Sequence, residues 1–233
     1  DPYKHPLTTH TTNTSADDFG ADAWIDFHGQ QKKTTSISTY NADILRDRVH
    51  GKPVVQMEQY YEGQSAQPVY RQAVWAVLLG GGFATYGHDF VSVHDRTDWQ
   101  NYLDTTGARE MRHLRTFWEA VAWRNMGPDN SLVTTGFLLN EPGKRYVVYL
   151  PSGGSVSLNL SSVTGTFAAE WFNPRTGLAT AIGTVTGGAA RALTAPDTND
   201  WVRHLTADAG SPDTTPPTVT SVSAPSATTV QVV

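Results

Sequence analysis

The sequence predicts an α/β fold followed by an all-β one: the C-terminal half of a (β/α)8 TIM-type barrel, then an antiparallel β-sandwich. Three observations carry this. Up to about residue 125, short runs of β character alternate with stretches of helical spacing, the pattern of parallel strands joined by helices. From Ser131 onward the helical spacing disappears, and short β-rich runs follow one another between turn residues. The first part supplies at most four strand candidates, whereas a closed barrel needs eight strands and about 250 residues. It therefore reads as the back half of a barrel, with the front half not in this chain.

Taken in order, residues 7–12 are β-prone and residues 13–20 are small and polar, a loop by composition. Residues 23–28 alternate as a strand. Ala23, Ile25 and Phe27 form one face, and Trp24, Asp26 and His28 the other, with Gln30 just beyond. Residues 36–50 suit a helix, with Ile44, Leu45 and Val49 as an apolar stripe and Gly51 as a stop. The run Lys52-Pro53-Val54-Val55-Gln56-Met57-Glu58 is the next strand. Val54, Gln56 and Glu58 share one face; Val55 and Met57 share the other. With helices over the Val55/Met57 face, Gln56 and Glu58 point into the middle of the sheet. Glu58 then stands at the carboxyl end of its strand, where barrel active sites lie. A solvated or salt-bridged surface glutamate fits the same run equally well.

Residues 69–79 predict a second helix, ended by Gly80-Gly81-Gly82, and residues 83–87 a short strand. A third helix over 108–123 carries Met111, Leu114, Arg115, Trp118 and Val121 at helical spacing. The β-rich part offers strands near 134–140, 145–151, 155–160, 167–172, 180–185 and 201–205. Asp213-Thr214-Thr215-Pro216-Pro217 reads as a stiff linker. The division expected is a barrel portion over 1–127, a sandwich over 128–208, and over 209–233 a linker with the truncated start of an immunoglobulin- or fibronectin-like domain.

Composition narrows the function. A net charge of −5 gives no basic footprint for nucleic acid. With no cysteine there are no disulfides and no thiolate metal sites. No apolar run reaches the length of a membrane span. His5 and His10 lack the spacing of a metal site and read as capped or core histidines. Gly80-Gly81-Gly82 has no following Lys-Ser/Thr and is no phosphate loop. No cofactor and no metal are expected.

Several stretches together resemble one family. "DPYKHPLTTH", "WIDFHGQQ", "KPVVQMEQYYEG", "GGGFATYG" and "DWQNYLDTTGAREMRHLRTF" are similar, in order, to the second half of the apiosidase-like glycoside hydrolases. "YVVYLPSGGSVSLNLS" and "AEWFNPRTG" resemble the β-sandwich that trails that domain and is often labelled collagen-binding. The resemblance implies a (β/α)8 barrel acting on polysaccharide side chains in exported bacterial proteins, with the signal peptide in the part that precedes Asp1. By it, Glu58 matches the carboxylate at the end of the seventh strand, the nucleophile. His28 and Gln30 match the polar end of the sixth strand, and Tyr86 the end of the eighth. In place of a family tryptophan after "TYG", this chain has His88-Asp89-Phe90.

Glycoside hydrolysis needs two carboxyl groups flanking the scissile bond. Glu58 suits the one that attacks or activates water; the acid/base would come from the first half of the barrel, so the chain alone is expected to be inactive. His28 and Gln30, placed near the rim, face substrate hydroxyls, and Asp26 sits deeper as structure. Tyr60 and Tyr61 form a sugar-stacking wall or are ordinary loop tyrosines. Glu62 is expected to hold a loop by accepting backbone hydrogen bonds. Trp75, Trp118, Trp123 and Trp171 read as packing, and Arg175 as the anchor of a Pro/Gly turn. The rival function is a non-catalytic carbohydrate- or matrix-binding module in which the barrel portion is scaffold. The expected partner is a polysaccharide or oligosaccharide.

Overall fold

A computed structural model describes residues 5–65, 68–91 and 97–207; the expected linker and third domain lie outside these residues. Strands β1 (His28–Gln31), β2 (Val54–Glu58) and β3 (Phe83–Ala84) form a parallel sheet in the order β1-β2-β3. Helices α2 (Ile37–Asp47) and α3 (Val69–Leu79) make the two crossovers. Helix α2 tightens into a 3-10 turn at Arg48–His50 and stops at Gly51, whose φ of 70° lies in the left-handed region that glycine enters without a Cβ penalty. Helix α1 (Ser15–Phe19), capped by Thr14, forms where the composition suggested only a loop. Helix α4 (Thr106–Ala120) follows β3 and is capped by Thr105.

The expected strand at 23–28 starts five residues later. The Asp26 N–H donates to the Leu7 carbonyl, and the Asp26 carboxylate accepts from the Leu7 N–H, both at 2.8 Å. Residues 23–27 are thereby held by the preceding segment, and pairing with β2 begins only at His28. Trp24 of the apparent strand is exposed and packs edge-on against Phe19.

The β-rich part is a six-stranded antiparallel sheet covered by a two-stranded ribbon. The sheet order is β4 (Gly127–Pro128), β5 (Phe137–Glu141), β6 (Arg145–Leu150), β11 (Trp201–Ala207), β8 (Thr166–Asn173), β9 (Leu178–Thr186). The ribbon pairs β7 (Ser155–Asn159) with β10 (Ala190–Thr194). Alternation along the strands splits the sheet into two apolar faces. Leu138, Tyr146, Val148, Phe167, Trp171 and Leu205 pack toward the ribbon. Phe137, Leu139, Val147, Tyr149, Phe172 and Val202 share a core with α3 and α4. Burial on both faces is why β6 reads as the nearly unbroken apolar run Tyr-Val-Val-Tyr-Leu.

Helix α3 is the centre of the molecule. Eight of its 11 residues are buried, because one side lies on the parallel sheet and the other on the six-stranded one. Trp75 is fully buried, stacked on Tyr149 with centroids 5.6 Å apart and edge-on to Phe117. Beside it Arg71 forks onto Asp200 through two hydrogen bonds of 3.0 and 2.8 Å and also pairs with Glu110 of α4. Tyr149 donates to Asp200 and Tyr70 to Glu110. Every charged member of this network is buried. Trp118 is buried as expected; Trp123 is not, lying exposed on a 3-10 turn against Phe83.

Candidate active site

The side of the parallel sheet that meets the helices is opposite to the one the alternation suggested. Val54 is fully buried in the core with Tyr40 and Ile44 of α2, and Gln56, also fully buried, donates its Nε2 to the Lys32 carbonyl at 3.0 Å. Val55 and Met57 are half-buried on the face away from the helices. There Gly29 lets Met57 and the Thr9 carbonyl come close; a Cβ at that position would collide with both.

This corrects two expected site residues. His28 is fully buried at the start of β1, level with Val54, its Nδ1 3.3 Å from the Ser15 hydroxyl and its ring 5.4 Å from that of His50. Burial holds its imidazole below the usual histidine range, with His50 adding to the effect. Gln30 is buried too, its Nε2 donating to Asp47 of α2 at 2.5 Å. Both side chains face the helical layer and are buried there, His28 Nε2 and Gln30 Oε1 without a hydrogen-bond partner, and neither reaches the rim.

Glu58 nevertheless stands at the carboxyl end of β2, on the open side. A register irregularity between Gln30 and Gln31 pairs Gln31 with Glu58, and Gln31 Nε2 donates to Glu58 Oε2 at 2.8 Å. Lys33 Nζ lies 3.0 Å from Oε1 and His10 Nε2 lies 3.7 Å from Oε2. The Lys33 hydrogen bond, helped by its charge, holds the Glu58 carboxyl below its ordinary range against a smaller opposing effect of burial. The side chain is 19% exposed, so the ionised carboxylate is open to a ligand. Tyr61 flanks it, its ring centroid 4.9 Å from Lys33 Nζ. Tyr60 is half-buried with its backbone beside the Tyr40 hydroxyl.

Tyr86 belongs to a different cluster. Its hydroxyl donates to Glu62 and lies 3.2 Å from Thr105 Oγ1. Burial and the neighbouring Glu62 push its phenol well up. Glu62 also accepts from Thr105 Oγ1 at 2.6 Å and from the Gly107 N–H at 2.9 Å, at the first turn of α4. Burial raises the Glu62 carboxyl, but these hydrogen bonds together outweigh it and keep it low. Glu62 thus pins its loop to a helix N-terminus, as its backbone-holding role predicted, and Tyr86 is a member of that clamp.

Sequence reasoning missed Gln31, Lys33 and His10 as neighbours of Glu58. His10 is exposed, neither capped nor in a core, and His5 is exposed as well. Gln31 ends β1, while Lys33 and His10 reach Glu58 from the loop after it and the segment before α1, so only the pairing of β1 with β2 could have brought them together. Among the described residues no three His, Asp or Glu side chains converge to hold a metal ion. No helix there is long and apolar enough to cross a membrane. In the sandwich, Trp171 is buried packing, and Arg175 secures its turn through two 3.0 Å hydrogen bonds to Asn173.

A parallel β/α portion with a carboxylate at a strand's carboxyl end, followed by an antiparallel β-sheet domain, is the architecture of barrel glycoside hydrolases. Among solved structures, one described as "Glycoside hydrolase" superposes with a TM-score of 0.76 at 18% identity, over 90% of this chain and 59% of its own. A glycoside hydrolase family 5 protein from Bacteroides vulgatus gives 0.75 at 19% identity, over 88% of this chain and 56% of its own. A GH30 endoxylanase from Clostridium papyrosolvens gives 0.54 at 11%, over 88% and 57%. At these identities the likeness is one of fold, and the chain spans less than two-thirds of each structure. No curated protein matches it. Residues 1–125 match the family described as "Apiosidase-like, catalytic domain", and the chain belongs to that family. Residues 130–206 match "Putative collagen-binding domain of a collagenase".

Proposed function

We propose that Glu58 is the nucleophile, or the base that activates water, of a glycoside hydrolase that removes apiose-type side-chain sugars from polysaccharide. The observation that carries this reading is the Lys33–Glu58 contact at the open carboxyl end of β2. A group that attacks the anomeric carbon or takes a proton from water must be ionised, and Lys33 favours that state. Gln31 fixes the orientation of the carboxylate by donating to one oxygen. Tyr61 supplies a ring beside it for the face of a sugar. The acid/base partner belongs to a barrel strand outside residues 1–233. A separation of about 5–5.5 Å between the two carboxyl groups gives retention, and about 6.5–9.5 Å gives inversion.

The test uses a chain carrying all eight barrel strands. Glu58→Gln keeps the Gln31 contact geometry but removes the charge, and side-chain sugar release should fall by about 10²–10⁴-fold or more, the scale of a lost positioned base. Activity within a few-fold of the parent removes Glu58 from the chemistry. Residues 1–233 alone should release no sugar.

A further inference from the structure

The inner face of the sandwich contains a residue that its packing does not explain. On β11, Val202 and His204 point to the α3 side, while Arg203 and Leu205 point toward the ribbon. Arg203 pairs across the strands with Trp171 on one side and Val148 on the other, both buried. An arginine therefore occupies a position whose neighbours are core. It is only 3% exposed. Its Nε and Nη1 have no hydrogen-bond partner, and no carboxylate pairs with it among the described residues. The Trp171 ring lies beside it, its centroid 5.1 Å from the guanidinium carbon. Burial alone depresses its pKa to about 10, so it stays charged at neutral pH.

A buried charge without a partner costs several kcal/mol, and native proteins keep one mainly where something else supplies the counter-charge. Arg203 is one wall of a cavity of about 430 Å³ between β9, β10 and β11, within the range of about 300–1,000 Å³ usual for small-ligand sites. Arg191 stands at the same cavity, its own guanidinium held by the Thr186 and Gly187 carbonyls and not neutralised by them. Thr184, Thr186 and Thr194 line the walls, and Trp171 and Ile182 supply apolar surface. The elements are two cations for one carboxylate, hydroxyls for hydroxyls, and an exposed aliphatic side chain, Ile182, for the apolar face of a ring.

We infer that the cavity between β9, β10 and β11 binds a sugar acid, with the carboxylate on Arg203 and Arg191 and the pyranose ring against Ile182 and the threonines. The site is independent of Glu58 and sits in the sheet domain, so it would seat uronate-bearing chains without acting on them. A planar guanidinium suits a carboxylate through paired parallel hydrogen bonds, and among the described residues no carboxylate already holds that of Arg203.

The test is calorimetric titration of the 233-residue chain with sodium galacturonate, with galactose and sodium acetate as controls, at physiological ionic strength. Saturable binding of galacturonate is expected, with galactose and acetate each weaker by about tenfold or more because each lacks one half of the recognition. Arg203→Leu should abolish binding while keeping or raising the melting temperature, since leucine suits the apolar face and an unpaired buried charge is gone. Arg191→Ala should weaken binding by about tenfold. The proposal is overturned if wild type shows no saturable binding, if galactose or acetate binds as tightly as galacturonate, or if Arg203→Leu binds undiminished. Should the leucine variant fail to fold, the wild-type Arg203 Nε–H resonance decides. It must shift on adding galacturonate and not galactose, and a resonance that does not move overturns the assignment.

Discussion

Replacing Arg71 by methionine keeps much of the side chain's volume but removes the cation between Glu110 and Asp200. Both carboxylates are buried, at 3% and 1% exposure, so neither can recover solvation from water. Asp200 would keep the Tyr149 hydroxyl and Glu110 the Tyr70 hydroxyl, but neither would have a neutralising charge. Removing one partner of such a buried pair costs about 3–5 kcal/mol. At about 2–4 °C per kcal/mol for a chain of 150–250 residues, the melting temperature should fall by roughly 6–20 °C. The deficit should depend on pH in a definite direction. Burial already holds Glu110 above the ordinary carboxylate range even beside Arg71, and without the arginine it rises further. A carboxyl raised in the folded state favours folding while protonated, and that contribution is lost as pH rises through its folded value. The variant should therefore be most handicapped at neutral pH and should recover toward wild type as pH falls toward the unfolded carboxylate value. Thermal melts of both chains across that range measure this. A deficit below about 1 kcal/mol, the scale of a surface ion pair, or one independent of pH, would refute the buried-network argument. One cooperative transition is also expected, because α3 shares a core with the six-stranded sheet.

Two further outcomes follow from the site geometry. Lys33→Met removes the leading cause of the low Glu58 carboxyl, so carbon-detected NMR titration should show Glu58 moving up toward its ordinary range; an unchanged titration would mean that the contact does not hold the charge. Gly107→Ala places a Cβ 2.6 Å from Glu62 Oε2 and 2.9 Å from the Tyr70 ring, an overpacking that should cost about 1–3 kcal/mol in urea denaturation. A neutral effect there would show that the Glu62 clamp on α4 is loose.

The sequence marked some elements sharply and misled on others. Helix α3 was legible to the residue, since an apolar run sits between Pro68 and three glycines. Strand β10 was missed because Ala-Arg-Ala-Leu-Thr carries little apolar signal and is stabilised by pairing with β7. Around β2, a period of two separates the faces but does not say which one the helices cover. Gln56 looked like a residue for an open interior, yet it is buried on the helical side, where the Lys32 carbonyl accepts from its Nε2 and its Oε1 has no partner. The same inversion removed His28 and Gln30 from the rim. Glu58 escapes its strand's parity because the Gln30/Gln31 irregularity re-aims the pairing at the end of the strand, a feature no periodicity displays.

The six-stranded sheet gives one face to the ribbon and the other to α3 and α4. A cut near residue 127 would leave Trp75 and Phe117 on one product and Tyr149 and Phe172 on the other, each with its greasy surface bare, and would strand Arg71 away from Asp200. Chimeras that swap the accessory module for another should precipitate unless the helix surface travels with it. What looks like two interchangeable parts is, for the engineer and for recombination alike, a single heritable block.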